Sequence, residues 1–330
     1  MQVQSNIRSV QGERNATASS SFEQRVAPGV RLSFDAGRIV DRVKNAAHET
    51  LVFEHARFGR MMLIDGTVRS SSADEFILHE MMSHVPMLAH GRVERVLILG
   101  GADGALAEEV LKHRGVHTVV QVHADPLTSE LARLYFGGVN AAAFSDARFQ
   151  LRVVVPARFL ATTDERFDLI LVDLPIEGNA SVSALSESLF RNARGCLKTG
   201  GLVIARLGVP FLQPLAFFAE IKHLSAVFST VTAYLVPVPS IFGGPVAIGW
   251  GSNVVNPGAP GHAALAARFV DAGIDTHYYT PEVHRASFAL PRYIKEAVNA
   301  ATHPREEDGL ELMSRVQTIA RYRDVPGELQ

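Results

Sequence analysis

The chain has 330 residues, of which 47% are hydrophobic and 20% charged, and its formal net charge is −2. That is enough apolar material for one large domain and a smaller one, and the near-neutral balance excludes a basic footprint for nucleic acid or a membrane surface. No apolar run approaches the ~18 residues that span a bilayer, and the single cysteine, Cys196, excludes an internal disulfide and points to a reducing, cytoplasmic setting.

Residues 1–28 are rich in Ser, Gln and Arg and read as a disordered leader. They lack the apolar stretch of a signal peptide, and Glu13 and Glu23 interrupt the basic character of a transit peptide. From Val30 to Arg69 short alternating runs lie between turn signals at Phe58-Gly59 and Asp65-Gly66, the pattern of a small antiparallel β-unit. Ser72 and Asp74-Glu75 then open a helix over ADEFILHEMMSHVPMLAH, with acids in the first turn as the helix dipole prefers. Residues 29–90 thus form an N-terminal β-domain with a connecting helix.

After Gly91 the rhythm becomes strand–helix–strand. VERVLILG is a continuous apolar strand of the buried, parallel kind, followed by the helix GADGALAEEVLKH. HTVVQV, FQLRVVV and FDLILVD are further strands, and PLTSELARLYF a further helix. SVSALSESLFRNARGCLK reads as a helix with Val182, Leu185, Leu189, Ala193 and Leu197 on one stripe, carrying Cys196 and stopping at Gly200-Gly201. GLVIARLG is a strand, FLQPLAFFAEIKHLSAVF a helix, and VTAYLVPVP and GPVAIGWGS a closing antiparallel pair. Residues 91–330 are therefore a doubly wound α/β domain with a C-terminal helical tail.

In such a sheet ligands sit beyond the carboxyl ends of the strands, which directs attention to the residues just after each one. Gly100 and Gly101 permit a tight turn and close backbone approach, as ligand loops and purely structural turns both require. His123 and Asp125 follow the second strand of this domain and Pro156 the third. Asp173 ends FDLILVD, either as a carboxylate presented to a cleft or as a turn and capping acid.

The segment DGTVRSSSADEFILHEMMSHVPMLAHGRVERVLILGGADGALAEEVLKH resembles the spermidine synthase (polyamine aminopropyltransferase) pattern DGV…DEF.YHEM…VLIIGGGDGG..REVLKH. Late in the chain, Thr276-His277-Tyr278-Tyr279, Pro281, His284-Arg285 and Phe288-Ala289-Leu290-Pro291 resemble that family's closing THYYNPEIHRAAFALP. The resemblance runs from about Val30 to Val298. It implies a methyltransferase-like Rossmann domain behind a small β-domain, assembled as a homodimer or homotetramer. The implied reaction moves an aminopropyl group from decarboxylated S-adenosylmethionine, or a related sulfonium nucleoside, to a small-molecule amine. Asp173 corresponds to the base that deprotonates the incoming ammonium, Asp103 to the carboxylate that holds the amine end of the donor, and His79 to the histidine of YHEM near the amine pocket.

Several positions depart from the pattern. His48 stands for the Gln that reaches the nucleoside, and His123 for the Glu that accepts both ribose hydroxyls. Pro156 stands for the Asp that receives the adenine amino group, although proline has neither a side-chain acceptor nor an N–H. Leu78 replaces the tyrosine of YHEM, and Ile241 that of the PTYPSG loop. DSSDP becomes Asp173-Leu174-Pro175-Ile176-Glu177, where Glu177 is the one candidate for the second amine-binding carboxylate. Neutral imidazole accepts one hydrogen bond where a carboxylate accepts several, so altered donor and acceptor pockets are expected. His48, His79 and His123 together supply a ligand set that zinc or non-haem iron could use, but no compact metal motif supports it, and separate pocket-lining histidines are the favoured reading. A repurposed enzyme of the same fold and a non-catalytic binding homologue stay open as alternatives.

Overall fold

The computed structural model describes residues 20–27, 29–45, 48–101, 103–174, 184–258 and 260–303. In chain order the elements are β1 (Ser20–Ala27), β2 (Val30–Ala36), β3 (Arg38–Lys44), β4 (Glu49–His55), β5 (Gly59–Ile64), β6 (Thr67–Ser71), α1 (Glu75–His90), β7 (Arg95–Gly100), α2 (Ala105–Leu111), β8 (Thr118–His123), α3 (Pro126–Tyr135) and α4 (Gly137–Ser145). There follow β9 (Phe149–Val153), α5 (Pro156–Thr162), β10 (Phe167–Asp173), α6 (Glu187–Gly195), β11 (Leu197–Arg206), α7 (Pro214–Ser225), β12 (Thr230–Val236), β13 (Val246–Ser252), α8 (His262–Ala272), α9 (Pro281–Ser287) and α10 (Arg292–Thr302).

The large sheet has the order β12-β13-β11-β10-β7-β8-β9. Strands β11, β10, β7, β8 and β9 are parallel, and β13 runs antiparallel between β11 and β12. The chain starts in the middle at β7, moves outward through β8 and β9, then returns to place β10 on the other side of β7. Strand order therefore reverses between β7 and β10, where open sheets offer a ligand crevice. Both faces are covered: Val96 and Ile98 of β7 pack into the layer containing Met81 and Val110, and Leu97 and Leu99 into the layer containing Phe190 and Phe217. All four β7 side chains are fully buried, which is why the strand reads as an unbroken apolar run.

The small β-unit is a two-stranded sheet, β1-β2, and a four-stranded meander, β3-β4-β5-β6. Asp65 and Gly66 both have positive φ (47° and 73°), as a tight hairpin turn of the favoured primed kind requires. Ser20–Ala27, part of the expected leader, instead pair antiparallel with β2, and Phe22 of that strand packs with Phe34 and Phe53. The other face of the meander carries Val52 and Met62 against Leu131, Ala132 and Phe136. Both faces of the meander thus carry packed apolar side chains within one chain.

Two further differences have local causes. Helix α6 begins only at Glu187, where the Ser186 hydroxyl caps by accepting from Leu189 N–H at 3.3 Å; Val182 lies outside the described residues. The helix ends before Cys196, and Leu197 already belongs to β11. Gly200-Gly201 mark a register shift within β11, where pairing jumps from Phe167–Leu197 to Leu169–Leu202, so the glycines serve a strand irregularity rather than a helix stop.

Candidate active site

Asp173 ends β10 and is the register partner of Gly100 at the end of β7, so the carboxylate and the glycine turn share one rung at the switch point. Gly100 has φ of 91°, and a Cβ there would lie 2.2 Å from the Asp173 carbonyl oxygen. Its lack of a side chain thus serves the approach of the neighbouring strand. The Gln121 amide, fully buried on β8, donates to the Gly100 carbonyl at 2.9 Å and also to that of Gly101, fixing the turn from beneath.

Asp103 follows that turn and is 8% exposed, its Oδ1 accepting from Ala105 N–H at 3.3 Å at the start of α2. His79, on the first turns of α1, is also buried, with Nδ1 2.6 Å from Glu75 Oε2 one turn earlier. Burial, the largest influence on this imidazole, opposes its charge, but the Glu75 hydrogen bond and the charges of Asp103, Glu75 and Asp173 together raise its pKa to about 9. His79 is therefore an imidazolium at neutral pH, set among carboxylates.

On the β8 side His48 Nε2 lies 3.0 Å from Asp125 Oδ2. Asp125 caps α3, accepting from the backbone N–H of Leu127 and Thr128 at 3.1 and 3.0 Å and from the Thr128 hydroxyl. Burial opposes its ionisation, yet these bonds and the nearby His48 hold the carboxyl below its usual range. The Asp125 carboxylate is thus largely occupied by its own helix. The His123 Nδ1 sits over the Asp125 backbone, 3.1 Å from its N–H and 2.9 Å from its carbonyl oxygen. Burial pushes the His123 pKa down, so the ring is neutral at pH 7.

A cavity lined by His48, Asp103, His123, Pro156 and Asp173 opens over these strand ends. A second one reaches Gln24 of β1, Leu212, Ile241 and Phe242. Arg69 and Arg206 line both. Arg206 ends β11 and pairs with Asp173, Nε to Oδ1 at 2.9 Å, while its Nη2 reaches the Leu174 carbonyl at 3.4 Å. The Ile241 loop is anchored by Ser240 N–H, which donates to buried Asp74 Oδ2 at 2.6 Å. Glu177 lies outside the described residues. Among the described residues no group of three His, Cys, Asp or Glu side chains is placed to hold a metal ion, and His48 and His79 face different carboxylates.

Sequence reasoning passed over Arg69, Arg206, Gln121 and Glu80. Glu80 is fully buried and accepts backbone N–H bonds from His277, Tyr278 and Tyr279 at 2.7, 2.8 and 2.7 Å. It ties α1, which carries His79, to the closing segment. Arg206 had a visible signal, a charge at the end of a buried apolar strand like that of Asp173. Glu80 had none, since its partners are backbone groups almost two hundred positions away.

The spermine/spermidine synthase domain profile matches residues 75–257. The polyamine aminopropyltransferase of Ruegeria sp. (strain TM1040) is 39% identical over 250 residues, covering 76% of this chain and 88% of that protein. The polyamine aminopropyltransferase of Pseudomonas syringae pv. tomato is 34% identical over 284 residues, covering 86% of this chain and 99% of the relative. Crystal structures of spermidine synthase from Thermotoga maritima, and of a spermidine synthase in complex with the transition state analogue AdoDATO, each superpose with a TM-score of 0.79 at 26% identity, covering 88% of this chain and 98% of theirs. With this fold and with its carboxylates at the switch point, the chain belongs to the spermine/spermidine synthase family of aminopropyltransferase enzymes.

Proposed function

We propose that the protein transfers an aminopropyl or related alkyl group from a sulfonium nucleoside of the decarboxylated S-adenosylmethionine type to an amine, through a donor pocket altered from the family pattern. The observation that carries the reading is the placement of Asp173 and Asp103 on either side of the Gly100 turn, both beside one cavity and both close enough to His79 to raise its pKa. Displacement at a carbon activated by a sulfonium needs alignment and the removal of one proton from the incoming nitrogen. Asp173 serves as the proton acceptor. Asp103 faces the cationic end of the donor, and the His79 imidazolium, held by Glu75, orients the two carboxylates.

The alteration lies at His123 and Pro156. A neutral imidazole accepts one hydroxyl where a carboxylate accepts two, and proline offers the adenine nothing. Losing both contacts reduces donor affinity by roughly 10²–10⁴-fold. Arg206 occupies Asp173 Oδ1 and leaves Oδ2 for the incoming nitrogen. The test is release of methylthioadenosine by purified protein supplied with decarboxylated S-adenosylmethionine and a panel of amines. Release that depends on both the amine and Asp173 supports transfer; donor binding without release from any amine favours a non-catalytic binding homologue.

A further inference from the structure

The turn that carries Asp103 is gripped by two buried carboxamides that take no part in the chemistry above. Gln121 on β8 donates its NH₂ to the Gly100 carbonyl at 2.9 Å and to that of Gly101. Asn140 on α4, 1% exposed, donates to the Asp103 carbonyl, and to the Ala132 carbonyl of α3 at 3.3 Å. The carbonyls of Gly100, Gly101 and Asp103 are thus fixed by side chains from two different elements. In both residues the amide oxygen is buried and has no hydrogen-bond partner among the described residues. Exchanging nitrogen and oxygen would set that oxygen against the carbonyls, so the partners fix the orientation of each amide. An orphaned acceptor is costly where water is excluded, and leucine or methionine would fill such space without one. What each carboxamide adds is its pair of donors, aimed at the turn.

The grip reaches the carboxylate. Asp103 Oδ1 has one long bond, from Ala105 N–H at 3.3 Å, so the course of the backbone decides where the carboxylate stands in the cavity it shares with Asp173. Ala132, the second partner of Asn140, packs with Val52 and Met62 of the small β-unit, and Met62 and Ile64 line the same cavity. Asn140 therefore ties Asp103 to the wall that the β-unit supplies. We propose that Asn140 and Gln121 are positioning residues for the donor, which hold the turn so that Asp103 meets the cationic aminopropyl end. This rests on the donor reading above.

Two measurements on the full chain test it, using Asn140→Leu and Gln121→Met, which remove the donors and keep the general shape. The first needs no ligand. The charge of Asp103 helps raise the His79 pKa to about 9, so an NMR titration of the His79 ring reports whether Asp103 has moved, and the pKa falls by about 0.5 or more in the variants. The second is titration calorimetry with decarboxylated S-adenosylmethionine against methylthioadenosine, which shares the nucleoside and lacks the ammonium. The variants lose about tenfold or more of the wild-type preference for the charged nucleoside. An unchanged His79 titration in both variants, equal weakening of the two nucleosides, or unfolding of both variants overturns the proposal, because bonds that serve only the fold predict those results. A wild type without preference for the charged nucleoside faults the donor reading instead, and the His79 titration then decides whether the carboxamides place Asp103.

Discussion

The carboxylates beneath the site and those on its rim are chemically alike but differently committed. Glu80 accepts three backbone N–H groups and Asp74 pins the Ser240 loop; their partners belong to the chain and are present whether or not a ligand is bound. On the rim, Asp173 has a single guanidinium on Oδ1, and Asp103 has one long bond from Ala105 N–H. A saturated carboxylate fastens elements together, whereas one with lone pairs to spare can take a proton or a substrate ammonium. Glu80 and Asp74 are spent on the fold, whereas Asp173 and Asp103 keep lone pairs open toward the cavity.

The largest expected effect tests the rim. Asp173→Asn keeps an oxygen for Arg206 but removes the proton acceptor, so turnover falls by ~10²–10⁴-fold with the melting transition preserved; methylthioadenosine release and thermal denaturation measure the two. On the scaffold the outcome reverses. Glu80→Gln sets an amide NH₂ against backbone donors and costs about 3–5 kcal/mol of stability, read as a lower urea midpoint, while folded molecules keep their chemistry. If the Asp173 variant unfolds, or the Glu80 variant is stable but inactive, the division made above is wrong.

His79 joins the two regions, and pH sharpens its part. Its pKa is raised from 6.5 to about 9, so its contribution to stability is fully present below pH 6.5 and is lost as pH rises through 9. The loss is on the order of 3 kcal/mol. Urea midpoints at pH 6.5 and 10 show this fall in the wild type and a smaller one in His79→Gln; equal slopes remove the imidazolium from the account. The smallest effect is a gain. His123→Glu supplies a second acceptor for a nucleoside diol and tightens methylthioadenosine binding by about 10–100-fold in calorimetry, and no gain removes His123 from the donor pocket.

Apolar periodicity made the fold largely legible, because buried parallel strands such as Val96–Leu99 announce themselves. It failed where the signal was not periodicity. β1 looks like a polar leader because it is a hairpin strand whose Phe22 is its main apolar contact. Helix α4 opens with Gly137-Gly138, which propensity argues against. At the site, position after a strand found Asp173, and the same rule applies to Arg206. The pairing of the two depended on knowing that β10 and β11 are neighbours, which one-dimensional pattern does not contain. Gln121 was hidden for a similar reason: a polar residue inside an apolar strand reveals nothing about the turn it braces.

Gly100 has one more consequence. With its φ of 91° and only 2.2 Å between a would-be Cβ and the Asp173 carbonyl oxygen, even alanine there would drive β7 and β10 apart at the reaction centre. The side chains that line the cavities, such as His123 and Ile241, can be exchanged one at a time, because each exchange alters only what a ligand touches. The spacing between the glycine turn and Asp173 has no such latitude. Substitution in a site built this way can change its walls far more readily than the distance between the ends of β7 and β10.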